Sequence, residues 1–278
     1  ERMGRTKSPL TVDEMLEALQ DPRFNVRFEA IISIARMGSE PRLVKALCHI
    51  LDGTELSLSV ISAWALGRIG DDEALPSLRN GLHSSYRSIQ AHCARSLGTL
   101  NDQEVVPLLL ERLETETDKG LRIAFASALG NLRAKDSVGL LFDVLESIEN
   151  DAARIEVALA IARVLGDEHR FIRLLRNLRQ DSGTTAAQVI AGWQRKVGKS
   201  FDPELDALVR GCGNRFASEH MDEAAEQLGQ ALELLPRTSD DNVSSRILDK
   251  CAAHLKQAGV PRFEYLLLTL FTLQTITK

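Results

Sequence analysis

Apolar residues recur along this chain in two alternating stripes, each repeating about every 32 residues. The first stripe runs through SIARMG (33–38), ALGRIG (65–70), SLGTLN (96–101), ALGNLR (128–133) and AIARVL (160–165). Its central column reads Ile34, Leu66, Leu97, Leu129 and Ile161, at steps of 32, 31, 32 and 32. One residue on, the column is small: Ala35, Gly67, Gly98, Gly130 and Ala162. Three residues after the central position it is apolar again: Met37, Ile69, Leu100, Leu132 and Val164. The second stripe has three columns: Val44, Leu75, Val106, Val138 and Phe171; Leu47, Leu78, Leu109, Leu141 and Leu174; Leu51, Leu82, Leu113, Leu145 and Leu178. Spacing at i, i+3 and i+7 lays each set along one face of an α-helix. Each repeat is therefore a pair of amphipathic helices, and the small column allows helices to approach closely.

The helix starts follow the same period. Asp21-Pro22, Ser85, Asp118, Asp151 and Ser182 precede the first helices and are expected to cap them. Thr11-x-x-Glu14 reads as a capping box. Val12, Met15 and Leu19 lie 32 residues before Val44, Leu47 and Leu51, so residues 10–20 should form a lone second helix. A fixed period of this length means a solenoid, because one helix pair cannot bury its stripe alone. The expected fold is an all-α, right-handed solenoid of five to six helix pairs over residues 10–215. Residues 1–9 read as a linker, and residues 216–278 as a divergent helical C-terminal cap.

The pattern ALGRIGDDEALPSLRNGL, with EVVPLLLERL and DSVGLLFDVL, resembles the short HEAT-like repeats named after phycobilisome lyases. The resemblance implies architecture rather than activity, since such folds serve many roles. In that family the second helices usually line the concave surface. The outward column there reads His49, Asn80, Glu111, Asp143 and Arg176, a mixed row suited to recognising a protein surface. SPLTVDEMLEALQDPRFNVRFEAIISIARM (8–37) is similar to the HEAT-repeat tail of some major facilitator superfamily transporters. That second resemblance implies a cytosolic regulatory domain, with ERMGRTK as a juxtamembrane segment. The alternative is a cytoplasmic scaffold unrelated to membranes.

After residue 180 the register loosens. TTAAQVIAGWQRKVG (184–198) is a candidate further first helix, and 216–236 resembles one tetratricopeptide hairpin. The last segment, FEYLLLTLFTLQTI (263–276), is apolar nearly all round and must be buried. Either it closes the solenoid core, or it meets a partner, a second copy or membrane-embedded helices. It is shorter than the roughly 20 residues that span a bilayer.

Composition narrows the functional classes. The chain has 278 residues, with 5% aromatics and a formal charge of −5, so it carries no global basic footprint for nucleic acid. Charge is unevenly placed. Residues 170–199 hold seven Lys or Arg and one acid, while 202–249 hold eleven acids and four bases. Arg170, Arg173, Arg176 and Arg179 form the core of the basic stretch, expected to meet an acidic partner or anionic headgroups. The competing reading is that the two stretches neutralise each other.

Catalytic signals are absent. Cys48, Cys93, Cys212 and Cys251 contain no C-x-x-C pair and read as buried free thiols. Glu168-His169 and Glu219-His220 reverse the His-Glu order of HEAT-like iron hydroxylases, so no metal or other cofactor is expected. There is no H-E-x-x-H and no G-x-S-x-G. Trp64 and Trp193 lie about four repeats apart, on the order of 40 Å for helices ~10 Å wide, too far to sandwich one base. The sequence thus points to a non-catalytic interaction scaffold with a protein partner on the concave face. A bilin-handling lyase and a nucleic-acid binder are the minor alternatives.

Overall fold

A computed structural model describes residues 9–180, 221–233, 243–255 and 263–276. Among them the regular structure is helical throughout, with no strand. The chain divides into two compact units, residues 1–134 and 135–278.

The first unit contains α1 (Pro9–Ala18), α2 (Phe24–Met37), α3 (Pro41–Leu51), α4 (Leu56–Ile69), α5 (Leu75–Gly81), α6 (Arg87–Thr99), α7 (Val106–Thr115) and α8 (Lys119–Asn131). Short 3-10 turns, Asp72–Ala74 and Gln103–Val105, lead into α5 and α7. The helices form two layers. The first helices of the repeats stack in the order α2, α4, α6, α8, and the second helices α1, α3, α5 and α7 flank them. As the period predicts, α1 takes the place of a second helix, packed on α2 and α3.

The columns form the core. Ile34, Leu66, Leu97 and Leu129 have no exposed surface, and neither do Val44, Leu47, Leu78 and Leu109. Each such burial contributes roughly 1.5–3 kcal/mol. The small column has a sharper purpose than helix pairing within a repeat: it brings first helices of successive repeats together. A Cβ on Gly67 would stand 2.4 Å from Ser96 Oγ, and one on Gly98 would stand 2.8 Å from Ala128 Cα. Across the first of these approaches, Ser96 Oγ donates to the Ala63 carbonyl at 2.7 Å.

Several expected caps are displaced by a residue or more. Asp118 caps α8 as predicted, accepting from Leu121 N–H at 2.9 Å. Asp21-Pro22 lies outside α2, whose cap position is Arg23, and Asp21 instead accepts from the Arg23 N–H and guanidinium. Ser85 is replaced at the α6 cap by Tyr86, whose N–H donates to Ser84 Oγ at 3.2 Å. The capping box fails because α1 begins at Pro9, which places Thr11 inside the helix, where it is buried.

The second unit contains α9 (Val138–Ser147), α10 (Asp151–Leu165), α11 (Glu168–Gln180), α12 (Met221–Glu233), α13 (Val243–Leu255) and α14 (Phe263–Ile276). Here the cap of α10 is Asn150, accepting from Ala153 N–H at 3.0 Å, rather than Asp151. The columns continue in Val138, Leu141, Leu145, Ile161, Phe171 and Leu174, all buried.

α14 packs against α10, α11 and α13, and its residues 264–273 are buried. Its threonines can be buried because each hydroxyl bonds within the helix: Thr269 to the Tyr265 carbonyl and Thr272 to the Leu268 carbonyl, both at 2.7 Å. Phe271 meets Phe171 edge-on at 5.3 Å between ring centroids. The one acid of the segment, Glu264, is buried against Arg154 of α10, with Arg154 Nη2 to Glu264 Oε2 at 3.0 Å. Arg154 also donates to the Leu145 and Ile148 carbonyls, so the guanidinium is held on three sides. The helix therefore closes a core inside its own unit, and its buried stretch is no partner, dimer or membrane surface. No helix among the described residues is long and apolar enough to cross a membrane.

Candidate interaction surface

The second helices position the candidate residues. On α3, α5 and α7 three columns point into the core, which leaves the opposite side of each helix in solvent. His49, Asn80 and Glu111 occupy one register on that side, and all three are exposed. Asn80 Nδ2 lies 3.5 Å from Asp52 Oδ1, and Ser77 Oγ donates to the other Asp52 oxygen at 3.2 Å. In the second unit, Asp143 is likewise exposed on α9.

A set of cross-repeat bonds holds this layer in place, and the sequence reading missed it. Arg79 of α5 grips Asp102 with two bonds of 2.7 Å and reaches Glu104 at 2.6 Å. Arg112 of α7 donates to the Leu82 carbonyl at 2.5 Å and contacts His83 Nδ1 at 3.2 Å. Ser39 hydrogen-bonds Asp71. Asp71 and Asp102 also accept from Glu73 N–H and Glu104 N–H, capping the turns that start the second helices. In the second unit Asp167 does the same for Arg170 N–H at 3.1 Å. The signal was available: an Asp follows Gly or Asn at Gly70-Asp71, Asn101-Asp102 and Gly166-Asp167. One side chain thus starts a helix while, at Asp71 and Asp102, also tying it to a neighbouring repeat.

The basic stretch is only partly a surface. Arg173 and Arg176 are exposed on α11, on the side opposite buried Phe171 and Leu174. Arg170 is not: it is buried, with Nε 3.5 Å from Asp167 Oδ2. The step of three rotates it towards the core side, so it leaves the predicted row of cations. The Arg179 side chain, residues 181–199, Cys212 and Trp193 lie outside the described residues, as does most of 202–249.

The chemistry of the described part is quiet. Burial pushes the Cys93 and Cys251 thiols up to about 12, and Cys48 is raised by the same cause. Such thiols stay protonated at neutral pH and are poor nucleophiles. Among the described residues no three His, Cys, Asp or Glu side chains gather as metal ligands. A cleft of about 310 Å³ in the first unit is lined by Asp52, Asn80, His83, Ser84 and Tyr86 among others, and its lining is mainly polar.

The buried columns, the small column and the two helix layers are those of a repeat array, and the HEAT-repeat family profile matches residues 44–130 and 109–192. The chain belongs to the HEAT-repeat family. No curated protein matches the sequence. The solved structures similar to this HEAT chain include the following two. One is the complex of CpcE and CpcF of phycocyanin lyase from Nostoc sp., at 21% identity and a TM-score of 0.49, covering 88% of this chain and 96% of that one. The other is human deoxyhypusine hydroxylase in complex with glycerol, at 18% identity and a TM-score of 0.43, covering 90% and 97%. Family membership rests on the repeat profile and the buried columns rather than on these two structures.

Proposed function

We propose that this HEAT-repeat chain is a non-catalytic protein-interaction scaffold that binds its partner with the exposed side of its second helices. The observation that carries the reading is the division of labour on α3, α5 and α7. Their core columns are uniformly apolar and mostly buried, with Leu75 and Val106 half-buried, while His49, Asn80 and Glu111 differ in chemistry at one exposed register. Varied side chains on a fixed frame give specificity through complementarity, and the Arg79–Asp102 pair keeps neighbouring rows in place. Arg173 and Arg176 on α11 supply a second, electrostatic contact for an acidic partner or anionic headgroups. Attachment to a transporter's membrane domain is carried by the resemblance of residues 8–37 alone.

The test is charge reversal in each region. Arg173→Glu with Arg176→Glu, and Asn80→Arg with Glu111→Arg, should each weaken capture of the partner by about tenfold or more while melting stays unchanged. Vesicles containing phosphatidylserine distinguish the two targets of the arginines. Binding that vanishes in the arginine variant assigns them to a membrane surface. Partner capture unaffected by either pair of substitutions refutes the scaffold reading.

A further inference from the structure

Where α3 gives way to α4, and again where α5 gives way to α6, the chain turns, and the cleft of about 310 Å³ is walled by these two turns. Its charge is unanswered. Asp52 stands at the C-terminal end of α3, where the helix dipole already places partial negative charge. Gly81, the last residue of α5, also lines the cleft, so a second helix C-terminus meets it. The Asp52 oxygens take neutral donors, the Ser77 hydroxyl at 3.2 Å and the Asn80 amide at 3.5 Å. Among the described residues no cation pairs with it, whereas Asp21, Glu55, Asp102 and Asp118 of the same unit each meet an arginine. Arg112, nearby, is engaged by the Leu82 carbonyl and His83. The field of Asp52 adds to burial in raising the Cys93 thiol. The cleft also holds exposed apolar surface. The large apolar side chains left exposed among the described residues are Phe24, Leu56 and Tyr86, and two of the three, Leu56 and Tyr86, line it.

We propose that this cleft receives an arginine side chain of the protein bound by the second helices. The inference rests on the scaffold reading and deepens it, since Asn80 belongs both to the exposed row and to the cleft wall. A guanidinium donates in parallel to both oxygens of a carboxylate, and each Asp52 oxygen keeps a lone pair beyond the one facing Ser77 or Asn80. The same planar cation packs on the face of a tyrosine ring, and its aliphatic stem packs on leucine. Tyr86 and Leu56 supply both. A lysine ammonium, a point charge without a plane to stack, uses less of this arrangement. An anion would meet Asp52 and two helix C-termini. The volume is at the small end of ligand pockets, which run from roughly 300 to 1,000 Å³, and suits one long side chain rather than a helix.

The chain has two tyrosines, Tyr86 at the cleft and Tyr265, which is buried in the second unit. Labelling with 3-fluorotyrosine therefore gives one fluorine signal at the cleft and one internal control. The probe is glycyl-arginyl-glycine with both ends capped, titrated into the whole chain. A saturable shift of the Tyr86 signal is expected, with a Kd on the order of 1 mM and the Tyr265 signal still. The same peptide with citrulline, which keeps the shape and loses the charge, should bind about tenfold more weakly. Asp52→Asn should weaken the arginine peptide by a similar factor with the circular-dichroism melt unchanged. If that variant melts early, Ser85→Lys, exposed on the cleft wall, places a like charge in the site and gives the same readout. No saturable shift, equal binding of the two peptides, or binding indifferent to both protein variants overturns the inference. So does free L-arginine binding more tightly than the capped peptide, since the site then suits a free amino acid. None of these outcomes touches the scaffold reading, which stands or falls on partner capture by the Asn80 and Glu111 variants.

Discussion

Gly98 has no room for a side chain, because the Ala128 Cα and carbonyl stand 2.8 and 3.1 Å from where its Cβ would be. The neighbour is backbone and cannot swing aside. Gly98→Val should therefore cost at least ~1–3 kcal/mol from overpacking. Gly139 meets nothing within 4 Å, so Gly139→Ala should gain up to ~1 kcal/mol from helix propensity. Thermal or urea melts of the two variants check the pair, and equal effects would contradict the close approach. Asp118 supplies a pH-dependent contribution. The Leu121 N–H bond, followed by Arg87 and the Gly120 N–H, holds its carboxyl below the usual range. A depressed folded value stabilises the protein above the unfolded pKa near 4, and that stability is lost as pH falls through the lower folded value. Asp118→Ala should cost about 1 kcal/mol at pH 7, shrinking towards zero in acid. Cys93 and Cys251 should resist iodoacetamide at pH 7.5 in the native state and react once urea unfolds the chain, read by mass spectrometry.

α14 shows where reading helices one at a time stops. Its apolar periphery was legible, and so was the need to bury it. Its destination was not, because burial alone does not distinguish a core from a partner. What settles it is a pair 110 residues apart in the chain, Arg154 with Glu264. Removing one partner of a buried pair leaves the other charge uncompensated, so Arg154→Met should cost about 3–5 kcal/mol. The double variant Arg154→Met, Glu264→Leu should recover most of that loss, and a denaturant series on the three proteins tests this. If the single and double variants are equally unstable, the packing of the arginine rather than its charge is what matters. The helix caps were legible only by composition. Asp118 was found where expected, but Arg23, Tyr86 and Asn150 replaced the predicted residues: Asp21 and Ser84 bond to nearby N–H groups before α2 and α6 begin, and Asn150 accepts from the Ala153 N–H one residue ahead of Asp151. Such local competition is decided by backbone geometry that a residue type does not specify.

For the whole chain, the repeat was legible because five copies of each column repeat the same demand for burial. A partner surface places no such demand, so its row reads as mixed chemistry and the sequence cannot separate it from an ordinary solvated face. The basic stretch illustrates the limit: a step of three looked like one cationic row, and burial removes Arg170 from it while Arg173 and Arg176 stay exposed. The cross-repeat pair Arg79–Asp102 was missed for the opposite reason, since its period is visible in the aspartates but not in the arginine. The decisive measurement is site-specific photocrosslinking in cells. Photoreactive residues go one at a time at His49, Asn80 and Glu111 on the second helices, and at Arg36, Arg68 and Thr99 on the first. All six positions are exposed. A binding surface on the second helices predicts adducts to one common protein from 49, 80 and 111 and none from 36, 68 and 99. Adducts to that protein from the first-helix positions instead, or from neither set, would contradict it.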